Sequence, residues 1–311
     1  MSLSEKNTEK MSLNTGSERQ QKFYKYHGCG NDFIIIDNQS KSSNNLYKAS
    51  DIQYKSSDIQ YKASDSNGLD WLSEQKIKDL CTWHTGIGAD GLIVLMPSTH
   101  HSFRMDYYNA DGRVGSLCGN GSRCAVQCAF DLGMRPDESG LFRFEAHDGI
   151  HTASIEGDRI SVSLLNFSAP EPTLHGWFVN NGSPHFLIPS SHIEGIDVAS
   201  DGALWRHHPH FNPGGTNVNF VEVTQQDQLN IRTFERGVER ETRACGTGVT
   251  AAAAWYASVY NKQNSYAAPQ RIMVETLGGE LQVELTVDGS TIKEVQLIGP
   301  ASFVFEGHIN I

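Results

Sequence analysis

The sequence contains one short pattern twice: a cysteine, a Gly-X-Gly turn, and then a largely apolar segment long enough to form a helix. The first copy, CGNG, begins at Cys118 and the second, CGTG, begins at Cys245. A chain of 311 residues also exceeds the usual size of one hydrophobic core. We therefore expect two domains, each containing one copy of the pattern.

Each of these cysteines is expected at the N-terminus of a helix. Unpaired backbone N–H groups and the positive end of the helix dipole lower the pKa of a thiol there, and the same N–H groups can hold a carboxylate. The segment GVTAAAAWYASVY after Cys245 is apolar on every side, which predicts a helix buried at the centre of its domain. Two thiols on opposite sides of a cleft could remove a proton from one face of a carbon atom and return one to the other, without a cofactor.

The remaining cysteines, Cys29, Cys81, Cys124 and Cys128, lack this repeated setting. Because a lone cysteine is most often a core residue, we expect them to pack in the interior. A pair of C-x2–4-C spacings, as in common zinc sites, is absent, and so is a G-x-x-x-x-G-K-[ST] phosphate loop. The sequence therefore predicts neither a metal nor a nucleotide.

The charge balance limits the choice of partners and of location. With 25 Lys and Arg against 36 Asp and Glu, the formal net charge is -11, which argues against nucleic acid and anionic membranes. The N-terminus lacks the apolar segment of a secretory signal, and the longest apolar run is shorter than the ~20 residues of a spanning helix. Irregular cysteine spacing does not indicate a disulfide framework. We expect a cytoplasmic protein that acts on a small molecule.

Local patterns predict several elements. The segment YKYHGCGNDFIIID predicts a strand, a Gly-rich turn and a buried strand over residues 24–37. The segment SEQKIKDLCTWH predicts an amphipathic helix capped by Ser73, and ADGLIVLM predicts a buried strand. A polar near-repeat of seven residues over residues 47–67 lacks the apolar positions of a coiled coil and is interpreted as a surface loop.

A weaker internal similarity supports a duplication. GCGNDFIIID from Gly28 is similar to GGTNVNFVEV from Gly214. In addition, Asn109 precedes the first cysteine of the pattern by nine residues, and Glu235 precedes the second by ten. These matches predict two similar domains that face each other.

With these features in place, the sequence closely resembles the diaminopimelate epimerase family. The motifs that carry the resemblance follow the family's order from about residue 22 to the C-terminus: YHGCGNDFIIID, TGIGADGLIVL, YYNADGRVGSLCGNGSRC, NGSPHFLI, GTNVNFVEV, RTFERGVERETRACGTGVTAAA and GPASFVFEG. The combination of CGNG and ACGTG with NADG, GSPH and ERG is far more specific than any single Gly-rich match.

The resemblance implies an α/β (α+β) fold of two pseudo-symmetric domains. Each domain would be a curled, mostly antiparallel sheet around a central helix, with the active site in the interdomain cleft. We expect an N-terminal domain of residues 21–165 plus 299–311 and a C-terminal domain of residues 166–298. Residues 1–20 are expected to be a disordered arm or a non-native remnant, and residues 41–68 an inserted polar loop.

The resemblance also implies a cofactor-independent enzyme that interconverts LL- and meso-diaminopimelate in lysine and peptidoglycan precursor biosynthesis; a homodimer is compatible with it. Cys118 and Cys245 match the family's catalytic thiol pair. The positions that match substrate contacts are Asn31, Asn109, Ser183, Asn217, Glu235 and Arg236, and those that match the carboxylate cradle are Gly119, Asn120, Gly246 and Thr247. The chain departs from the common pattern at Ser183, where many members have Asn, at Gly91, where many have Gln, and in ERGVERET, which is one residue longer.

Two alternatives stay open at this point. Another two-cysteine enzyme, such as a proline or hydroxyproline racemase, would share the logic of the paired thiols, although ERG before ACGTG and NADG before CGNG favour diaminopimelate. A non-catalytic amino-acid-binding module would need the N–H cradle but not both thiols.

Overall fold

The structure, a computed structural model, describes residues 19–39, 69–115, 117–261 and 268–311. The helices within these ranges are α1 (Glu74–Cys81), α2 (Gly119–Asp131), α3 (Val198–Arg206) and α4 (Gly246–Trp255), and a π-helical turn, Tyr256–Tyr260, continues α4. The strands are β1 (Gln20–Gly28), β2 (Asn31–Asp37), β3 (Gly91–Met96), β4 (Phe103–Asn109), β5 (Phe142–Ala146), β6 (Gly149–Glu156), β7 (Arg159–Ser163), β8 (Phe167–Ser168), β9 (Glu171–Thr173), β10 (Gly176–Asn180), β11 (Pro184–Pro189), β12 (Asn217–Gln225), β13 (Gln228–Glu235), β14 (Arg240–Thr242), β15 (Gln270–Thr276), β16 (Gly279–Asp288), β17 (Thr291–Pro300) and β18 (Ser302–Asn310).

The order of these elements repeats. In the first half, β1 to β7 pair in sequence as antiparallel, parallel, antiparallel, parallel, antiparallel and antiparallel neighbours. In the second half, β10, β11, β12, β13, β15, β16 and β17 follow the same sequence of directions. One helix follows the second strand and another follows the fourth strand in each half. The predicted mixed α+β fold with two pseudo-symmetric, mostly antiparallel units is confirmed.

The two halves are joined along their sheets. Strand β7 pairs with β17, so the last strands of the two repeats are antiparallel neighbours. The chain that leaves the first half supplies β9 beside β10, and the chain that leaves the second half supplies β18 beside β1. We propose residues 21–165 with 299–311 and residues 166–298 as the two domains, and the return of β18 to β1 supports this division.

Each half has its own apolar core around one helix. Helix α2 packs with Phe33, Ile93 and Phe103 in the first core. Helix α4 is buried along its length in the second core, as its uniformly apolar sequence predicts. Cys29 belongs to this second core although it lies in the turn between β1 and β2, so the first half inserts a turn into the second.

Several local predictions are confirmed. Helix α1 begins after Ser73, whose hydroxyl accepts a hydrogen bond from the Lys76 backbone N–H at 3.2 Å. Every residue of β3 is buried, and β1 and β2 flank a Gly-containing turn. The described helices include none with the length and apolar character that a membrane span requires.

One sequence match is wrong. The segment from Gly28 leads into β2, the second strand of its half, whereas the segment from Gly214 leads into β12, the third strand of its half. The two segments share only a Gly- and Asn-containing turn before a buried strand. Asn109 and Glu235, by contrast, both end the fourth strand of their half. Gln20 begins β1 and does not belong to the N-terminal arm. Residues 1–18 of that arm, the polar insertion and the near-repeat at 47–67 lie outside the described residues.

Candidate functional site

The two cysteines of the repeated pattern occupy equivalent positions at the start of α2 and α4. Cys118 is the N-cap of α2 with φ/ψ of -104°/110°, and Cys245 is the N-cap of α4 with φ/ψ of -108°/108°. Cys118 is partly exposed and Cys245 is buried. Since both backbones adopt the same extended cap geometry, both helices direct unpaired N–H groups past a thiol.

The two helix N-termini converge on one side chain of β17. A Cβ atom placed on Gly119 would lie 2.5 Å from Leu297 Cδ2, and one placed on Gly246 would lie 3.0 Å from the same atom. Glycine at both positions therefore permits the close approach. The Gly246 position also lies 3.5 Å from Asn120 Oδ1, so the two turns are neighbours across the boundary between the halves.

Asn120 connects the two turns by hydrogen bonds. Its Nδ2 donates to Asn31 Oδ1 at 3.2 Å and to the backbone oxygen of Ala244 at 3.0 Å, directly before the second catalytic candidate. The Cys118 thiol donates to the same Asn31 oxygen at 3.7 Å. A side chain of the first half is thus held against the second half beside both cysteines.

A second hydrogen-bonded group lies at the ends of β12 and β13. Asn217 donates from Nδ2 to Ser183 Oγ at 2.9 Å, and its Oδ1 accepts the Arg236 backbone N–H at 2.8 Å. Glu235 accepts a hydrogen bond from the Thr242 hydroxyl at 2.9 Å. The structure therefore gathers four predicted substrate contacts, Ser183, Asn217, Glu235 and Arg236, in one place.

Two further residues predicted to bind substrate, Thr247 and Asn109, lie outside this hydrogen-bonded group. Thr247 lies in the first turn of α4, where its hydroxyl is 3.5 Å from the Cys245 sulfur. Asn109 is exposed at the end of β4, and its Oδ1 accepts a hydrogen bond from the Tyr107 hydroxyl at 3.1 Å.

An open cavity of about 550 Å³ lies between the halves, and its lining includes neighbours of both cysteines. Residues of both halves line it, among them Asn31 and Asp90 from the first and Thr242 and Ala244 from the second. Since Asn31 hydrogen-bonds the Cys118 thiol and Ala244 precedes Cys245, this cavity leads towards the thiol pair. Within the described ranges, no three His, Cys, Asp or Glu side chains cluster closely enough to hold a metal ion.

The pKa values of the two thiols differ from the sequence expectation. Burial raises the pKa of Cys118 to about 11, although the backbone N–H groups of Gly121 and Asn120 act to lower it. Burial also raises the pKa of Cys245, and the negative charge of Glu235 raises it further. The expected low pKa of both thiols is therefore wrong, because the cost of removing a thiolate from water exceeds the help of the helix N-termini.

The pKa of the Glu235 carboxyl group is also shifted. Burial raises the pKa of its carboxyl group from 4.5 to about 6, and the negative charge of Asp90 contributes in the same direction. Asp90 also accepts a hydrogen bond from Asn31 Nδ2 at 2.8 Å. Sequence reasoning missed Asp90, Thr242 and Leu297 as parts of this site, because nothing in a single sequence distinguishes them from ordinary turn and strand residues.

The raised pKa of Glu235 predicts a pH-dependent stability difference. Because the folded protein binds this proton more tightly than the unfolded chain, Glu235 costs stability as the pH rises from about 4.5 through about 6. We expect Glu235→Gln, which keeps an acceptor for Thr242, to be more stable than the parent chain by about 2 kcal/mol above pH 7 and equally stable near pH 4. Urea unfolding at both pH values measures this, with Glu171→Gln as the control on an exposed carboxylate of β9. Equal stability at pH 7 would contradict the perturbed pKa.

Comparison with known proteins gives one consistent family. A family model described as Diaminopimelate epimerase matches residues 63–164 and 177–304. A relative of that name from Aquifex aeolicus is 35% identical over 301 residues, covering 93% of this chain and 97% of the relative. Another from Chlorobaculum tepidum is 38% identical over 290 residues, covering 91% and 99%.

Solved structures share the fold at low sequence identity. A phenazine biosynthesis protein of the PhzF family from Bacillus anthracis aligns with a TM-score of 0.66 at 15% identity, covering 94% of this chain and all of that one. A hydroxyproline epimerase from Agrobacterium vitis, with bound trans-4-hydroxy-L-proline, aligns with a TM-score of 0.64 at 14% identity, covering 95% and 94%. These likenesses concern the fold alone.

Proposed function

The chain belongs to the diaminopimelate epimerase family, and from this membership we propose that it interconverts LL- and meso-diaminopimelate by moving a proton between Cys118 and Cys245. The observation that carries the proposal is the matched placement of these two residues as N-caps of helices that converge on Leu297. The proposed reaction needs no cofactor, because both the base and the acid are side chains of this chain.

The proposed reaction has two proton transfers. One cysteine, as thiolate, takes the α-hydrogen as a proton and becomes a thiol, and the electron pair of the broken C–H bond passes into the α-carbon and its carboxylate. The other cysteine then gives its thiol proton to the opposite face of the α-carbon and becomes the thiolate. Configuration is inverted, and the two cysteines have exchanged protonation states.

The helix N-termini would stabilise the charge that develops in this reaction. We assign the cradle for the reacting carboxylate to the first turns of α2 and α4, at Gly119, Asn120, Gly246 and Thr247. Backbone N–H groups at a helix start bind anions, and donors fixed before the reaction stabilise charge that increases in the transition state. The negative charge on the carboxylate increases as the proton leaves, so these donors favour the transition state over the bound substrate.

The distal amino acid group of the substrate needs binding contacts of its own. We assign it to the polar residues Asn31, Asn109, Ser183, Asn217, Glu235 and Arg236. Asn217 hydrogen-bonds Ser183 and the Arg236 backbone N–H, so a substrate that binds to Asn217 must compete with these hydrogen bonds. Glu235 and Arg236 are adjacent and of opposite charge, which suits the ammonium and carboxylate of an amino acid.

Different observations argue against the two alternative functions, a proline or hydroxyproline racemase and a binding module. The hydroxyproline epimerase likeness rests on 14% identity, whereas relatives named diaminopimelate epimerase are 35–38% identical over nearly their whole length, which favours diaminopimelate as substrate. A binding module would use the cradle but has no need for two thiols in matched positions.

The substrate is a small molecule, as the family membership implies. We propose in addition that the enzyme works in the cytoplasm and without nucleic acid, for which the net charge of -11 is the support. A homodimer is compatible with the exposed Phe303, Val304 and Phe305 on β18.

Proton exchange in D2O tests the proposed activity. Reduced enzyme is incubated with LL-diaminopimelate in D2O, and deuterium at the α-carbon is followed by mass spectrometry together with formation of the meso isomer. We expect both, with trans-4-hydroxy-L-proline as a control that gains no deuterium. Folded, reduced protein that exchanges neither compound would remove the enzymatic proposal, and faster exchange of hydroxyproline would favour the racemase alternative.

Oxidation is expected to inactivate the enzyme reversibly. Two thiols that face one small substrate can form a disulfide when no substrate separates them, and their raised pKa values should make this reaction faster at alkaline pH. Activity is measured after diamide treatment and again after dithiothreitol, with and without diaminopimelate as protection. Cys81→Ala, altered in a different core, serves as the control and should behave like the parent chain. Full activity after oxidant alone would count against proximity of the two thiols.

A further inference from the structure

The carboxylate of Asp90 is held in one position directly before β3, where it lines the cavity between the halves. Its Oδ2 accepts hydrogen bonds from Asn31 Nδ2 at 2.8 Å and from the Asp32 backbone N–H at 3.2 Å. In return, the Asp90 backbone N–H donates to the backbone oxygen of Asp32 at 2.9 Å and to its Oδ1 at 3.2 Å. The buried Lys25 ammonium pairs with the other carboxylate oxygen of Asp32 at 2.7 Å. Asp90 therefore presents a fixed acceptor to Asn31.

The opposite end of this series of hydrogen bonds is Arg123, a fully buried residue in the second turn of α2. Its Nη2 donates to Asn120 Oδ1 at 2.8 Å. Because a guanidinium has only donors, the Asn120 side chain must turn its oxygen towards Arg123 and its NH2 group away from it. That NH2 group donates to the Ala244 backbone oxygen at 3.0 Å and to Asn31 Oδ1 at 3.2 Å. Since a carbonyl oxygen only accepts, Ala244 requires the same orientation of Asn120.

The Asn31 amide between these ends has one orientation that satisfies its partners. It must direct its NH2 group at Asp90, which accepts, and its oxygen at Asn120, which donates. The reversed amide would set a donor against Asn120 and an acceptor against Asp90, and leaving such groups unpaired in a partly buried site costs stability. The same Asn31 oxygen accepts a hydrogen bond from the Cys118 thiol at 3.7 Å. The direction of the Cys118 S–H bond therefore depends on Asp90, although the two residues are joined only through Asn31.

The equivalent position in the second half holds a hydroxyl. Asp90 directly precedes β3, the third strand of its half, and Thr216 directly precedes β12, the third strand of the other. Thr216 donates its hydroxyl to a backbone oxygen of β12 at 3.0 Å. The Cys245 sulfur lies 3.5 Å from the Thr247 hydroxyl, and either atom of that pair can donate. The repeat thus places a fixed acceptor beside Cys118 and a rotatable hydroxyl beside Cys245.

We propose that Asp90 is a positioning residue for Cys118: it fixes the orientation of the Asn31 amide, whose oxygen then holds the Cys118 thiol in one position beside the cleft. The proposal rests on the two-thiol function. Proton transfer requires the sulfur and the α-carbon to meet at a suitable distance and angle, and a displacement of about 1 Å can reduce the rate about 10²-fold. Asp90 contributes to the rate through this geometry and does not itself exchange the proton.

Steady-state kinetics of epimerisation of LL-diaminopimelate test this role. Asp90→Ala removes the acceptor, and we expect kcat to fall about 10²-fold while KM changes by less than about fivefold, since the proposed distal contacts on the second half are unaltered. Asp90→Asn keeps an oxygen that can accept from Asn31 and from the Asp32 backbone N–H, so its kcat should stay within about fivefold of the parent value. If Asp90→Ala does not fold, Asp90→Ser, whose side chain is also shorter than that of Asp, replaces it with the same expectation.

A double-mutant cycle measures whether Asp90 acts through Asn31. If it does, the variant with both Asp90→Ala and Asn31→Ala should have a kcat/KM within about threefold of Asn31→Ala alone, because the amide that Asp90 orients is already absent. Asp106→Ala is the control for loss of a carboxylate, since Asp106 is partly buried on β4, pairs with Arg104 at 2.9 Å and does not line the cavity. Its kcat should stay within about threefold of the parent value.

Hydrogen exchange at the side-chain amides reports the same arrangement without turnover. The NH2 signals of Asn31 and Asn120 in ¹H–¹⁵N spectra are identified by their absence from Asn31→Ala and Asn120→Ala. In Asp90→Ala the Asn31 NH2 group should exchange with water about tenfold faster or more, because a hydrogen bond to a carboxylate is lost. In Asp90→Asn the exchange rate should remain within about threefold of the parent rate.

The proposal and the two-thiol function fail in different ways. A parent-like kcat or unchanged Asn31 exchange in folded Asp90→Ala would overturn the proposal. Losses that multiply in the double variant would give Asp90 a role separate from Asn31, and a loss in Asp90→Asn as large as in Asp90→Ala would assign the effect to the charge of Asp90; both results would also overturn it. A parent chain with protected Asn31 and Asn120 amides but no turnover would instead remove the proposed function.

Discussion

Cys118→Ala and Cys245→Ala are each expected to reduce the kcat of epimerisation by about 10³-fold or more, because each removes one of the two groups that exchange a proton with the α-carbon. The hydrogen-bond partner of Cys118 is an amide, Asn31, and that of Cys245 is a hydroxyl, Thr247. Formation of meso from LL isomer, measured by chiral chromatography, gives kcat for both variants.

The two variants should remain folded, so a stability control accompanies them. Cys124→Ala removes a fully buried thiol from α2 that the mechanism does not use, and it should lose stability without a comparable loss of kcat. Cys→Ser at either catalytic position keeps a hydroxyl of similar size and is expected to retain some one-sided exchange of the α-hydrogen in D2O. Full turnover by either Ala variant would refute the assignment of two bases.

Much of this architecture is encoded locally. The Ser73 cap, the helical spacing of apolar residues in α1 and the uniform apolarity of β3 depend on neighbours in sequence, and the structure confirms each of them. The same holds for Cys118 and Cys245, since a Gly-X-Gly turn before an apolar segment is enough to predict a helix N-terminus. The repeated pattern then extends this local signal to a two-domain fold.

The parts that sequence did not predict depend on contacts between distant residues. Asn120 bonds Ala244 and Arg123 contacts Pro300, in each case across more than a hundred residues. The raised pKa of Cys118 follows from its burial in the folded chain, which no spacing in the sequence expresses. The false match between Gly28 and Gly214 has the same origin, because a turn motif does not specify which strand becomes its neighbour.

Removing a contact to the distal amino acid group of the substrate should have the second large effect on activity. We expect Arg236→Met to reduce kcat/KM for diaminopimelate by about 10⁴-fold, because a site built to bind a charged group leaves buried polar groups unpaired when that interaction is removed. Coupled assay of meso formation measures the loss, and Arg271→Met, which removes a largely exposed arginine of β15 outside the cavity lining, is the control that should stay within about tenfold.

The same distal contacts predict how the enzyme treats an amino acid that lacks the second carboxylate. Lysine presents the reacting amino acid group but lacks the second carboxylate, so the parent enzyme should racemise it at least about 10⁴-fold less efficiently than diaminopimelate. Arg236→Met should not acquire lysine racemisation. Glu235, Asn217 and Ser183 would still lack the polar partners that the distal amino acid group of diaminopimelate provides. Chiral analysis of lysine after long incubation tests both statements. Lysine or proline racemised at rates comparable to diaminopimelate would overturn the substrate assignment while leaving the two-thiol chemistry in place.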